Sequence, residues 1–311
     1  MKNALFYLVT VLIWGSTWLG IKLQLGVVDP MVSVTYRFAL ASALLLSWCV
    51  ISKMNMSFTL REHGFMLLQG VLLFGFNYLF FYKAEMYVTS GLAAVLFSTI
   101  LVMNIVNGAL FLGTPIDSKV VLGGTLGLIG IILVFLPEIS HFSFDNHGVK
   151  GVAWCILATL FASWGNITSA RNQKNRLPII QSNAYGMGYG ALIMCTVALI
   201  SGKTFAVEVS VAYLGSLAYL SIFGSIIAFG CYLSLVGNIG ADRAAYSTLL
   251  FPLVALAIST VWEGYEWSAA SLSGLLFIIS GNFFILARKK LVRRGVAPVL
   301  TGKFGVSSET V

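Results

Sequence analysis

The chain has 311 residues, of which 58% are hydrophobic and only 10% charged, against about 25% charged in a soluble domain. With a mean hydropathy of +0.91, the composition excludes a water-soluble enzyme and a disordered chain. The net charge of +8, from 19 basic and 11 acidic residues, does not point to nucleic acid, because the basic residues gather in loops on one side of the apolar runs.

A membrane helix needs about 20 mostly apolar residues. In chain order such runs fall near 4–23, 31–52, 64–82, 88–112, 119–136, 149–170, 179–201, 211–232, 241–262 and 268–287. The first run continues to about Leu23 with no A-x-A-like site after it. It therefore reads as a span and not as a signal peptide. The longest connection, 137–148, carries the turn residues Asp145-Asn146 and His147-Gly148 and separates five runs from five. The fold expected is an all-α polytopic membrane protein of ten transmembrane helices. Cys49, Cys155, Cys195 and Cys231 all lie in apolar runs without a CxxC pair. They read as small hydrophobes, with no metal or cofactor expected.

Lys and Arg set the orientation. With the N-terminus inside, the cytoplasmic side holds Lys2, Lys53, Arg61, Lys119, Arg171, Lys174, Arg176, Arg243 and the cluster from Arg288 to Lys303. The outer side holds only Lys22, Lys83, Lys150 and Lys203. Both termini are thus expected in the cytoplasm, the protein sitting in a cell (inner) membrane.

The halves echo each other about 150 residues apart. Trp14-Gly15 matches Trp164-Gly165, Tyr82 matches Tyr232, and Ala93-Ala94 matches Ala244-Ala245. Gly113, Gly123 and Gly130 match Gly264, Gly274 and Gly281. Units of five spans insert with opposite orientation, and inverted repeats of this kind mark secondary transporters whose site lies at the repeat interface. The division expected is a first repeat at 1–136, a connecting loop at 137–148, a second repeat at 149–287 and a basic cytoplasmic tail at 288–311.

Several residues carry a family resemblance. They are Trp14-Gly15-Ser16-Thr17, Lys22, Pro30 and Arg37-Phe38-Ala39; then Ser90-Gly91-Leu92-Ala93-Ala94; then Phe251-Pro252-Leu253-Val254 and Glu263-Gly264. Together with the span count and symmetry, the chain resembles the drug/metabolite transporter superfamily in its ten-helix EamA-type exporter branch, over about residues 4–288. It departs from that pattern at Leu101, where the first half lacks the Pro that Pro252 supplies, and at Thr114 and Tyr265, where Glu is usual. The resemblance implies export of small organic solutes such as amino acids, metabolites or amphipathic drugs by alternating access. It also implies a central cavity bounded by spans one, three, four, six, eight and nine.

Polar groups in hydrocarbon are costly unless satisfied, so they mark a cavity or a helix contact. Arg37 is the basic residue well inside a span; it attracts an anionic substrate, pairs with Glu85, or snorkels to headgroups. Asn77, Asn104, Asn107, Asn166, Asn183 and Asn282 lie in spans and suit either a wet interior or interhelical bonds. Trp14, Trp164, Tyr78, Tyr82, Tyr185, Tyr232 and Tyr246 add aromatic surface. The substrate-binding candidates are Trp14, Thr17, Arg37, Asn77, Tyr78, Tyr82, Asn104, Trp164, Asn166, Tyr232 and Tyr246. Glu85 is the candidate for ion coupling, by a proton, or else a helix-end residue beside Lys83. Gly186 and Gly190 form a GxxxG that packs inside the monomer or in a homodimer. The expected partners are a small-molecule solute and the lipid bilayer. The competing readings, a membrane-embedded enzyme or a scaffold, find no HExxH, G-x-S-x-G or phosphate-binding loop.

Overall fold

The computed structural model describes residues 2–26, 28–88, 90–136, 139, 146–251, 253–254, 257–258 and 267–286. The loop residues 140–145, Pro252, Glu263-Gly264, the tail 288–311 and the side chains of Lys22, Ser90, Leu92, Ala94 and Asn282 lie outside the described residues.

Helix α1 spans Lys2–Lys22 and α2 Pro30–Ile51. Helix α3 covers Leu60–Glu85 and carries a π segment at Gly70–Phe76. Helix α4 runs over 90–112 with a break at Thr99, and α5 spans Ser118–Val134. After the central loop come α6 at Asn146–Lys174, α7 at Ile179–Ile200, and α8 at Val211–Ile239 with a π segment at Leu220–Ile227. Helix α9 opens with Ala241–Ala244 and tightens into a 3-10 stretch at Ala245–Leu249; α10 spans Ala269–Leu286. Six described helices, α2, α3, α6, α7, α8 and the Val95–Leu112 part of α4, are individually long and apolar enough to cross a membrane; Ser118–Val134 and Ala269–Gly281 are shorter apolar helices. The far part of span nine falls outside the described residues.

Local chemistry sets the helix starts. Asp29 Oδ1 accepts from the Met31 N–H at 2.9 Å, with Pro30 in the first turn where its missing N–H costs nothing. Thr59 and Glu62 form a reciprocal capping box on α3. Asp117 caps α5 through Lys119 N at 3.0 Å, and Ser210 caps α8 through Tyr213 N at 3.1 Å. Gly113, at φ +63°, ends α4 in the left-handed conformation that favours glycine.

The bundle is apolar on its outside as well as in its core, and it buries polar groups within that core. Leu8, Leu110, Ile200, Leu276 and Phe283 face outward, while Arg37, Gln69, Asn104, Asn166, Asn172 and Asn183 are buried. That arrangement fits a lipid solvent, in which only interior polar groups find partners.

Counterpart helices pack in reciprocal, antiparallel fashion. Helix α1 lies along α8: Ser16 meets the Tyr219 hydroxyl at 2.6 Å, and Asn238 Nδ2 donates to Asn3 Oδ1 at 3.0 Å. Helix α6 lies along α3 in the same way, with Phe80 stacked on Trp154 and Asn172 bonded to Gln69 at 3.1 Å. Helices α2 and α7 pair through Ser42, whose Oγ donates to Ala184 O at 2.7 Å.

Helices α5 and α10 pack backbone to backbone through glycines. A Cβ on Gly130 would stand 2.6 Å from Gly274 O, and one on Gly281 would stand 2.5 Å from Gly123 O. The repeat relation carries one contact onto the other, Gly130–Gly274 onto Gly281–Gly123, as a two-fold relation between halves requires. The Gly186/Gly190 pair packs inside this chain, against Gly70 of the α3 π segment. The two π segments themselves stand 150 residues apart, at the same place in the third helix of each half.

Candidate functional site

The centre of the bundle holds a cavity of about 80 Å3. Trp14, Thr17 and Ile21 of α1 line it, with Arg37 of α2 and Leu73, Asn77, Tyr78 and Phe81 of α3. Phe97 and Ile100 of α4, Ala162 and Asn166 of α6, Phe229 and Tyr232 of α8, and Thr248 and Phe251 of α9 complete the wall. Spans one, three, four, six, eight and nine all contribute, and α2 joins them through Arg37.

The π segment of α8 builds one side of the site. A π turn shifts the carbonyl register and leaves main-chain oxygens for other donors. Gly224 O accepts from Trp14 Nε1 at 2.9 Å, and Leu220 O accepts from Ser225 Oγ at 3.0 Å. The indole then rests edge-on against Phe229 and Phe251, with ring centroids at 4.8 and 5.3 Å. A Cβ at Gly224 would lie 3.2 Å from Arg37 Nη2, so the small residue makes room for the guanidinium.

Arg37 is only 1% exposed and does not snorkel. Its Nε donates to Ser225 Oγ at 3.0 Å, and its guanidinium lies 4.6 Å from the Tyr78 ring centroid. Its Nη1 is buried with no hydrogen-bond partner. Among the described residues the ion pairs are Lys203–Asp29 at 2.8 Å and Arg243–Asp117 at 3.2 Å, so Arg37 does not pair with Glu85. Two amide oxygens in the same wall, Asn77 Oδ1 and Asn166 Oδ1, are buried without partners. Asn77 Nδ2 donates to Leu73 O at 3.2 Å, and Asn166 Nδ2 to the Tyr232 hydroxyl at 3.0 Å.

Trp14, Thr17, Arg37, Asn77, Tyr78, Asn166 and Tyr232 therefore meet around one cavity; the other candidates lie elsewhere. Tyr82 is wholly buried and donates to Gln24 Oε1 at 3.0 Å, sealing one end of the site. Tyr246 bonds Gly123 O at 3.0 Å and Ile278 O at 3.3 Å, tying α9 to the α5–α10 seam. Trp164 lies against Phe161 at 5.6 Å outside the cavity. At the position where the second half has Gly224, the first half has Phe74, fully buried against Phe38 and Phe229. Asn183 and Asn107 make interhelical bonds, to Gln69 Nε2 at 3.1 Å and Ser163 Oγ at 2.8 Å. Glu85 ends α3 one turn beyond Tyr82 and does not line the cavity; its Oε1 is buried without a partner. Lys83 lies instead over Trp154 at 4.8 Å.

Asn104 lines a second, larger cavity of about 490 Å3, between the ends of α4, α6 and α8 and the starts of α5 and α9. Only one helical turn divides the two spaces, about 6 Å. Ile100 faces the inner space and Asn104 the outer; Asn166 and Ala170, and Tyr232 and Val236, divide in the same way. The Asn166–Tyr232 hydrogen bond lies in that partition.

Sequence reading missed Ser225, Gly224, Phe229, Phe97 and Thr248. Ser221 and Ser225, one turn apart in an otherwise apolar stretch, were the available signal for Arg37's partner.

An all-helical, multi-pass bundle with reciprocal halves and a cavity between them is the architecture of a membrane carrier. Residues 1–136 and 149–287 match the EamA-like transporter family, and the chain belongs to it. It is 25% identical over 289 residues to protein PagO of Salmonella typhimurium, covering 93% of this chain and 94% of that protein. It is 27% identical over 297 residues to the uncharacterized inner membrane transporter YedA of Escherichia coli K12, covering 93% and 92%. With the uncharacterized transporter YoaV of Bacillus subtilis it shares 24% identity over 286 residues, covering 90% and 96%. A solved crystal structure superposes with a TM-score of 0.76 at 16% identity, covering 92% of this chain and 96% of the other, a likeness of fold. The chain is a multi-pass membrane transporter.

Proposed function

We propose that the protein is a secondary carrier that exports small organic solutes by alternating access, the central cavity being the binding site. The observation that carries this reading is the cavity itself: it lies at the interface of two antiparallel halves and stands one helical turn from a wider space. Residues 1–136 and 149–287 act as the two moving units, joined by 137–148. The Lys and Arg asymmetry supports a cytoplasmic position for both termini and the 288–311 tail, in an inner membrane. The wider cavity, bordered by Asp117, Lys174 and Asp242, is then the cytoplasmic vestibule through which the solute enters. Rupture of the Asn166–Tyr232 partition admits it to the site. Movement of one half against the other then opens the far end, past Phe81, Phe97 and the Tyr82–Gln24 bond.

Glu85 is the proton carrier in this reading, supported by its buried and unpartnered oxygen. The test is flux in proteoliposomes, using labelled metabolites with and without an imposed pH gradient. Saturable, protein-dependent movement of one solute class is expected, faster with the gradient in wild type and insensitive to it in Glu85→Gln. Equal flux in empty and protein-containing vesicles for every solute would overturn the carrier reading.

A further inference from the structure

We propose that the ligand of the central cavity is an organic monoanion, a carboxylate on a compact apolar body, with Arg37 as the group that binds its charge. The inference rests on the carrier reading and names the class of solute.

Three observations carry it. Arg37 is the single charged residue among the described residues that line the cavity. It is 1% exposed, held from behind by Ser225 and Tyr78, with Nη1 unpartnered. A buried cation with no counter-charge is an unstable arrangement that a bound anion relieves. Guanidinium also matches carboxylate geometry better than any other side chain does.

Lining composition sets the rest of the ligand. Trp14, Leu73, Phe97, Ile100, Phe229 and Phe251 form an apolar wall, which excludes a small hydrated inorganic ion as the preferred guest. A dianion would bring one charge more than the site neutralises. The free amide oxygens of Asn77 and Asn166 accept a hydrogen bond from a hydroxyl or N–H on the guest. A volume of about 80 Å3 corresponds to roughly half a dozen water-sized spheres, room for a guest on the order of ten heavy atoms. The site is one-sided: Arg37's counterpart in the second half is Met187, so the repeat offers a single anion position.

The test uses a matched series on the full chain in detergent, reading the thermal midpoint and binding isotherm with phenylacetate, phenylacetamide, phenethylammonium and sodium chloride. Phenylacetate is expected to raise the midpoint saturably, with the neutral and cationic analogues giving no shift. Arg37→Gln is expected to weaken phenylacetate binding by about 10- to 100-fold, and Arg37→Lys to restore part of it. The wild-type series decides the matter even if the variants do not fold. Equal or stronger binding of the amide or the ammonium compound, or no shift with phenylacetate, overturns the inference. So does an Arg37-dependent shift with chloride to which phenylacetate adds nothing, since Arg37 would then hold a mere counter-ion. Saturable flux of neutral or cationic solutes alone would sink the anion assignment and leave the carrier standing. Binding of phenylacetate without flux of any solute would do the reverse.

Discussion

Asn166 of α6 and Tyr232 of α8 are joined by a 3.0 Å hydrogen bond from Nδ2 to the hydroxyl, where the central cavity comes within one turn of the wider one. The bond links α6 to α8 within the second half of the chain, across the route proposed for the solute. Its loss leaves the Asn166 amide with neither of its groups paired.

Tyr232→Phe is therefore expected to loosen the partition by about 1–2 kcal/mol, a roughly 5- to 30-fold rise in the open population. In a cysteine-free background, a cysteine placed at Ile100 reports on it. Labelling by a water-soluble maleimide should speed up several-fold in Tyr232→Phe. An unchanged rate would show that the partition is held by packing alone.

Trp14 has two separable contributions, its N–H to Gly224 and its ring against Phe229 and Phe251. Trp14→Phe removes the first at a cost of about 1 kcal/mol, while Trp14→Ala removes both at about 3–5 kcal/mol. Thermal midpoints measured by fluorescence-detected chromatography should fall in that order. Equal losses would place the whole effect in the hydrogen bond.

Gly130→Val should be severely destabilising, because its Cβ has 2.6 Å to Gly274 O, a main-chain atom that cannot swing aside. Overpacking of this kind costs about 1–3 kcal/mol or more. Gly215→Val is the control, since nothing lies within 4 Å of a Cβ there. Similar midpoints for the two variants would contradict the close approach of α5 and α10.

Arg243 and Asp117 form an ion pair at 3.2 Å with side chains 32% and 18% exposed. Partial solvent access limits such a pair to about 0–1 kcal/mol. Arg243→Gln should leave the melting midpoint nearly unchanged. A drop of many degrees would mean that the pair is shielded from water more than its exposure indicates.

Tags test the topology. A protease site at the N-terminus and one in the Gly202–Val209 connection should be cut from opposite faces of inverted vesicles, the N-terminal one from the cytoplasmic face. Cleavage of both from the same face would refute the orientation read from the Lys and Arg distribution.

Much of the architecture was legible because its signals are long and additive. Runs of apolar residues define α2, α3, α6 and α7 within a few residues and the start of α8, whose end lies seven residues beyond its run; glycines matched between halves foreshadow the α5–α10 seam. The site was legible only in part, because burial alone does not say which neighbour a polar group meets. Tyr246 and Tyr232 look alike in sequence, yet one bonds carbonyls in a helix seam and the other faces the cavity. Trp14 and Trp164 are repeat counterparts, yet Trp14 bonds Gly224 O at the cavity and Trp164 lies against Phe161 outside it. Gln69, bonded to both Asn172 and Asn183, carries no sequence signal that sets it apart. The π segments that supply free carbonyls depend on local main-chain register, which no residue pattern in these stretches announces.

In the proposed cycle, the α5–α10 contact would serve as a bearing. Backbone meets backbone across Gly123, Gly130, Gly274 and Gly281, with the side chains of Val134, Ile278 and Tyr246 packed alongside, so a small turn there would disturb few rotamers. Among the described residues, neither helix lines the central cavity. Pivot and recognition thus occupy separate parts of the chain. Substitutions that rewrite the guest at Arg37, Asn77 or Phe251 leave the bearing intact, and one moving frame can serve many cargoes.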